Sequence, residues 1–297
     1  MENQDSYLPT LKQLELFLAL ASADGIAGAG AKLGMTASAT SHALRALESS
    51  LGTAVVDRNA AGVVLTYAGQ QMLPHVRDVF AAMQLIRTTA SASAGLKTGL
   101  LRIGSFGASS SLKLLPPLLA SFRARYPGVD MFVIEKPDAE IEQDLIERRI
   151  EIGVVTLPKP QFDTQLLAID ELVAVLPVKH HLADHPTLHL RDIAQYPLIL
   201  THAGSQGLIA RMFARVGLHP RVTHELSQLM SILEFVAREQ GISILASLAL
   251  PEKYEGVVYR KIVPQSPRRV GLACLNDQRL SPAALALWQQ ARRTTRS

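Results

Sequence analysis

Residues 29–52, AGAKLGMTASATSHALRALESSLG, constrain this chain more than any other segment. Their spacing predicts a short helix, a tight turn at Gly34-Met35 and a second helix, with Thr36 as a good N-cap and Gly52 as the stop. Ala43, Leu44, Leu47 and Leu51 fall on one side of that second helix, the pattern of a buried stripe. Its other side carries Ser38, Ser41, His42 and Arg45. Small hydroxyls, one imidazole and one guanidinium on a helix face suit base edges in the major groove of DNA.

The surroundings fit a small domain built around this pair. Leu11, Leu14, Phe17, Leu18 and Ala21 recur at helical spacing, predicting a first helix that ends near Asp24-Gly25. Two short β-rich pieces, 54–57 and 63–65, flank the turn residues Asn59-Ala60-Ala61-Gly62, which predicts a hairpin wing. Thr66 then caps a long helix through Met72, Val76, Val79, Met83 and Ile86 to about residue 94, and 91–95 reads as a small-residue linker. From Leu100 onward strands and helices alternate: strands at 100–104, 129–135, 150–155, 171–177, 196–201, 221–225, 242–245 and 270–275, helices at 111–125, 138–148, 206–216, 228–239 and 282–293. That alternation predicts an α/β region with a largely parallel sheet covered by helices.

Composition sets the outer bounds. A chain of 297 residues, 48% hydrophobic, holds two or three domains with their own cores. No apolar run reaches transmembrane length, and the opening MENQDSYLPT is too polar for a secretory signal. Cys274 is the single cysteine, which excludes an internal disulfide and a thiolate metal cluster. A reducing cytoplasm is expected. The net charge of +4 suits a nucleic-acid partner, but residues 1–97 hold seven basic and seven acidic side chains, whereas 256–297 hold eight basic against Asp277 alone. The basic surplus lies far from the DNA-reading segment, so that segment stands on its pattern and not on overall charge.

At this level the residues resemble a known family, the LysR-type transcriptional regulators. LKQLELFLALA, KLGMTASATSHALRALESSLG and the wing VVDRNAAGVVLTYAG carry the likeness at the front. LLRIGS, LLPPLLASFRARYPGV, IEIGVVTLP, LVAVLPVKHHLA, YPLIL and VAREQGISIL carry it onward in the same order. The resemblance implies a winged helix-turn-helix over 1–66, a linker and dimerisation helix over 67–97, and an effector-binding domain over 98–297. That domain is expected to resemble periplasmic solute-binding proteins, with lobe one at 98–162 and 267–297, lobe two at 163–266, and crossings near 161–165 and 263–267. It implies double-stranded DNA with a pseudo-palindromic site, a small-molecule effector, and a homodimer or homotetramer as partners, with no membrane.

Carried over residue by residue, the DNA-binding positions are Thr36, Ala37, Ser38, Ser41, His42, Arg45 and Arg58. His42 stands where the family usually has arginine or glutamine, Ala37 removes a common glutamine contact, and Val64 replaces a basic wing residue. Gly28 and Gly30 fall inside the first helix of the pair and are expected to soften it, since each interior glycine costs about 0.5–1 kcal/mol relative to alanine. For the effector cleft the candidates are Ser105, Ser109, Lys136, Thr156, Thr201, His202 and Ser205, hydroxyls and one ammonium near strand ends and helix starts that suit a small anion such as a carboxylate. No metal and no cofactor is expected. The histidine-rich stretch 179–185 fits no zinc spacing, and with neither a nucleophile motif nor a phosphate loop no enzyme is expected. The rival reading is a small-molecule binding module without a gene-regulatory role.

Overall fold

The computed structural model of the chain describes residues 8–23, 25–57, 63–92, 99–202 and 204–294. They divide into two compact units, Met1–Ile86 and Arg87–Ser297. Among the described residues no helix is long and apolar enough to cross a membrane.

In the first unit α1 (Leu11–Leu20) starts from a reciprocal cap: the Gln13 N–H donates to Thr10 Oγ1 at 3.3 Å and the Thr10 N–H to Gln13 Oε1 at 2.7 Å. The helix pair is α2 (Ile26–Lys32) and α3 (Ala37–Leu51). Gly30 lies so close to α3 that a methyl group there would sit 2.0 Å from Thr40 Oγ1 and 3.2 Å from the Met35 carbonyl oxygen. Gly30 is thus the contact point of the two helices, and the expected softness of α2 belongs to Gly28, which has nothing within 4 Å. The Thr36 hydroxyl caps α3 by accepting from the Ala39 N–H at 3.3 Å, and Gly52 ends it with φ 68°.

The wing strands β1 (Val56–Asp57) and β2 (Val64–Leu65) pair antiparallel. The expected turn at 59–62 lies outside the described residues. Glu48 ties α3 to the wing, its Oε1 accepting from the Val55 N–H at 3.0 Å and the Val56 N–H at 3.4 Å. Thr66 caps α4 (Tyr67–Ala92) by accepting from the Gly69 N–H at 3.1 Å. Leu14, Leu16, Phe17, Leu20, Leu44, Leu47, Val55, Val56 and Val76 are the buried core, with Met72 and Phe80 half-buried against it. The expected pairing stripe of α4 is therefore split. Met72 and Val76 serve this core, while Val79, Met83 and Ile86 stay 39%, 41% and 69% exposed.

The second unit is built on one ten-stranded mixed sheet, not a largely parallel one. β3 (Gly99–Ser105) pairs in parallel with β4 (Val129–Glu135) and β5 (Ile152–Leu157). A long strand, β6 (Asp163–Pro177), runs on past these and is flanked in its second half by β10 (Ile242–Ala246) and β11 (Val257–Val263), with β8 (Leu198–Thr201) and β9 (Val222–Leu226) beyond β10 and β7 (Thr187–His189) beyond β11. The last strand, β12 (Pro267–Cys274), returns to lie antiparallel between β5 and β6. Helices α5 (Leu115–Arg125), α6 (Asp138–Ile146), α7 (Leu190–Ile193), α8 (Gln206–Arg215), α9 (Leu229–Ala237) and α10 (Pro282–Thr294) cover it.

Sequence periodicity missed β7, β11 and the first half of β6. Residues 163–171 of β6 pair with β12, about a hundred positions away in sequence, while 172–177 pair with β10 and β11. The pairing thus changes at Glu171-Leu172 and not at 161–165. Residues 163–170 are exposed or half-buried on both faces, so no clean alternation marks them; the β12 ladder carries them instead. One core gathers Leu101, Ile103, Phe122, Val154, Leu272, Leu287 and Trp288, and another Leu172, Leu176, Ile193, Phe213, Ile244 and Ile262. α10 packs on the first of these, so both ends of the unit close one core.

Candidate functional site

α3 divides by exposure as its periodicity predicts. Leu44 and Leu47 are buried, Ser41 is half-buried, and Thr36, Ala37, Ser38, His42 and Arg45 are exposed. Thr40, at the α2 contact, is buried and donates its hydroxyl back to the Thr36 carbonyl at 2.8 Å. Among the described residues no carboxylate pairs with Arg45, and Glu48 is turned to the wing backbone. Arg58 lies outside the described residues. The result is a short polar surface at the start of a helix whose caps are supplied from within. Small side chains and one guanidinium can reach base edges and a phosphate without strain elsewhere.

Two members of the basic surplus near the C-terminus are committed within the second unit, while Lys261, Arg269, Arg279, Arg292 and Arg293 are exposed. Arg260 is spent on backbone, its Nε donating to the Ala183 carbonyl at 2.7 Å and its Nη1 to that of Tyr259 at 2.8 Å. Arg268 is buried.

The second unit holds a cleft of about 500 Å3 between the first and second halves of its sheet. Phe106, Leu112, Met230, Ile232 and Leu245 give it an apolar wall; Ser109, Ser205, Thr201, His202, Gln228 and Arg268 give it polar groups. Of the candidate effector residues, Ser109, Lys136, Thr201, His202 and Ser205 line it. Ser105 and Thr156 do not. The buried Ser105 hydroxyl is tied to those of Ser110 and Ser111, each at 2.7 Å, and Ser111 donates onward to Glu135. Thr156 joins the two halves below the cleft, its hydroxyl donating to the Gly204 carbonyl at 3.2 Å and its N–H to Asp138 Oδ1 at 3.1 Å. Gly204 permits this close approach, since a methyl group there would lie 2.7 Å from the Phe106 ring.

Charges at the cleft are mostly answered by protein. The Lys136 ammonium reaches Asp144 at 2.6 Å, and Arg149 reaches the same carboxyl at 2.8 Å. Burial raises the Asp144 pKa, but hydrogen bonds and charge from Lys136 and Arg149 outweigh it and hold the group below the usual carboxylate range. His202 Nε2 lies 2.8 Å from Glu225.

Sequence reasoning missed Arg268. It is 2% exposed and makes two parallel bonds to Asp170, with Nε to Oδ1 at 2.9 Å and Nη2 to Oδ2 at 2.8 Å. It also donates to Ser109 Oγ at 2.7 Å and to Ser205 Oγ at 3.3 Å. A signal existed: with period two, Arg268 shares a strand face with the buried Val270, Leu272 and Cys274, while Arg269 is exposed. Among the described residues no group of three or more His, Cys, Asp or Glu side chains is arranged to hold a metal.

The family model for a bacterial regulatory helix-turn-helix protein, lysR family, matches residues 11–70, and that for the LysR substrate binding domain matches 94–296. The chain is 30% identical over 291 residues to the uncharacterized HTH-type transcriptional regulator YvbU of Bacillus subtilis, spanning 95% of this chain and 98% of that protein. It is 30% identical over 287 residues to the probable HTH-type transcriptional regulator LrrA of Synechococcus elongatus, spanning 96% and 97%. Its fold matches that of a full-length OxyR variant from Pseudomonas aeruginosa with a TM-score of 0.72 at 20% identity, over 95% of this chain and 93% of that one. Two matched domains in order, over an exposed α3 face and a lined cleft, make the assignment: the chain belongs to the LysR family of bacterial transcriptional regulators, with a DNA-binding helix-turn-helix in its first unit and a substrate-binding domain in its second.

Proposed function

We propose that α3 reads the major groove through Ser38, Ser41 and His42, with Ala37 beside the bases and Thr36, Arg45 and the wing residue Arg58 at phosphates. The division of α3 into a buried apolar side and an exposed polar side carries this reading. An imidazole meets guanine N7 or O6 with one bond where arginine makes two, so each head binds weakly. Paired heads multiply weak contacts. The exposed Val79, Met83 and Ile86, at helical spacing on α4, support pairing through that helix into a dimer or a pair of dimers. In this reading 1–66 is the reader, 67–97 the linker helix and 98–297 the sensor.

The sensor cleft takes a small anionic effector. Support comes from α8 and α9, which begin at the cleft at Ser205 and Gln228 with no side-chain cap on either, leaving backbone N–H groups for a ligand. Effector binding favours one arrangement of the two halves and so one presentation of the DNA heads. The protein works in the cytoplasm and catalyses nothing itself. An electrophoretic mobility shift with the DNA upstream of the protein's own gene tests this. A shift altered by ligand is expected; no shift under any condition would favour a binding module without a regulatory role.

A further inference from the structure

Both Ser109 and Ser205 line the cleft, one on each half of the unit, and both are held by the same buried guanidinium. A guanidinium has only donors, so both serine oxygens accept from it. Each hydroxyl hydrogen is then left to point elsewhere. Among the described residues neither serine donates to any protein acceptor, and both serines are 3% exposed. The charge of Arg268 is already answered by Asp170, whose Oδ2 also accepts from the Leu248 N–H at 3.1 Å.

Resting on the reading of this cleft as the effector site, we propose that Arg268 is its specificity-determining positioning residue. It commits the Ser109 and Ser205 hydroxyls as a pair of donors, one from each half, to a single hydrogen-bond-accepting group of the ligand, a carboxylate. The apolar wall of Phe106, Leu112 and Met230 takes the body of the ligand. The exposed Glu135 at the rim repels a second anionic group, so the ligand class is a monocarboxylate with an apolar body. A ligand whose polar end only donates meets two donors and leaves them unpaired, which is strongly disfavoured. Because the serines belong to the two halves, one acceptor bridging them also draws the halves together.

The test is isothermal titration of the full-length protein with matched probes: benzoate, benzamide and benzylamine, then the same three polar groups on cyclohexyl and n-hexyl bodies. Carboxylates are expected to bind most tightly, amides more weakly through their carbonyl oxygen and amines not at all, and Ser109→Ala and Ser205→Ala are each expected to weaken the carboxylates by about tenfold or more, the worth of one bond to a charged group. Arg268→Lys keeps a cation beside Asp170 but cannot hold both hydroxyls. Its expected signature is loss of discrimination against the amine, read on protein whose cooperative melt is first confirmed. If that variant does not fold, the two serine variants still decide. Amides or amines binding as well as acids, with the same loss in the serine variants, would overturn the donor pair while keeping the cleft as the ligand site. Acids bound equally by all variants would overturn both readings. Binding by none of the probes would overturn the monocarboxylate assignment.

Discussion

Arg268 and Asp170 stand directly opposite each other in the β12–β6 register, joined by two parallel hydrogen bonds and almost wholly buried. Removing one partner of such a pair strands the other charge. Arg268→Met is expected to cost about 3–5 kcal/mol, and the double variant Arg268→Met with Asp170→Asn to recover part of that loss. Urea denaturation of the wild type, the single variants Arg268→Met and Asp170→Asn, and the double variant measures it, and additive single costs would show that the two groups do not act as a pair.

The two glycines of α2 are expected to behave oppositely. Gly30→Ala places a methyl group 2.0 Å from Thr40 Oγ1 and is expected to destabilise the first unit by roughly 1–3 kcal/mol. Gly28→Ala meets nothing within 4 Å and is expected to stabilise by about 0.5–1 kcal/mol. Thermal melts followed by circular dichroism separate the two signs.

His180 gives the stability a pH dependence. Burial lowers its pKa below the ordinary 6.5, His181 beside it adds to this and Glu239 opposes it. Its Nδ1 accepts from the Leu182 N–H at 3.2 Å, a bond only the unprotonated nitrogen makes. On acidification the unfolded chain takes up the proton first. The contribution is therefore complete above about pH 6.5 and falls away as the pH drops from there through the lowered folded value. His180→Asn keeps an acceptor at this position without the titration. Between pH about 7.5 and about 5.5 its urea midpoint is expected to fall less than that of the wild type; equal falls would contradict the assignment.

Cys274 is expected to be inert in the folded protein. Burial, reinforced by Asp163 and Asp277, pushes its thiol pKa up to about 12, so almost no thiolate exists at neutral pH. Reaction with Ellman's reagent is expected only as fast as the second unit opens. Rapid labelling in the absence of denaturant would contradict that.

What was legible in the sequence was local. The caps Thr36 and Thr66, the stop at Gly52 and the two faces of α3 depend on residues within a turn or two of each other, and they fold as their spacing says. β7 and β11 each pair with distant strands, and the first half of β6 lies on β12; nothing nearby in sequence signals such ladders. Arg268 was hidden differently, as one arginine in a basic tail until the strand turned it inward. Ser105 and Thr156 have the right chemistry, but packing spends it on Ser110, Ser111 and Gly204. The role of Gly30 needed the distance between two helices, which composition does not contain.

The exposed face of α3 is proposed to bind a specific DNA site. Fluorescence anisotropy of the full-length protein on its own upstream DNA, against a scrambled duplex of equal length and at fixed salt, tests it most directly. Affinity for the upstream DNA is expected at least roughly a thousandfold above that for the scrambled one. His42→Ala is expected to shrink that ratio, and Arg45→Ala to weaken binding to both duplexes alike. Equal affinity for the two duplexes, or a ratio untouched by His42→Ala and Ser38→Ala together, would contradict it.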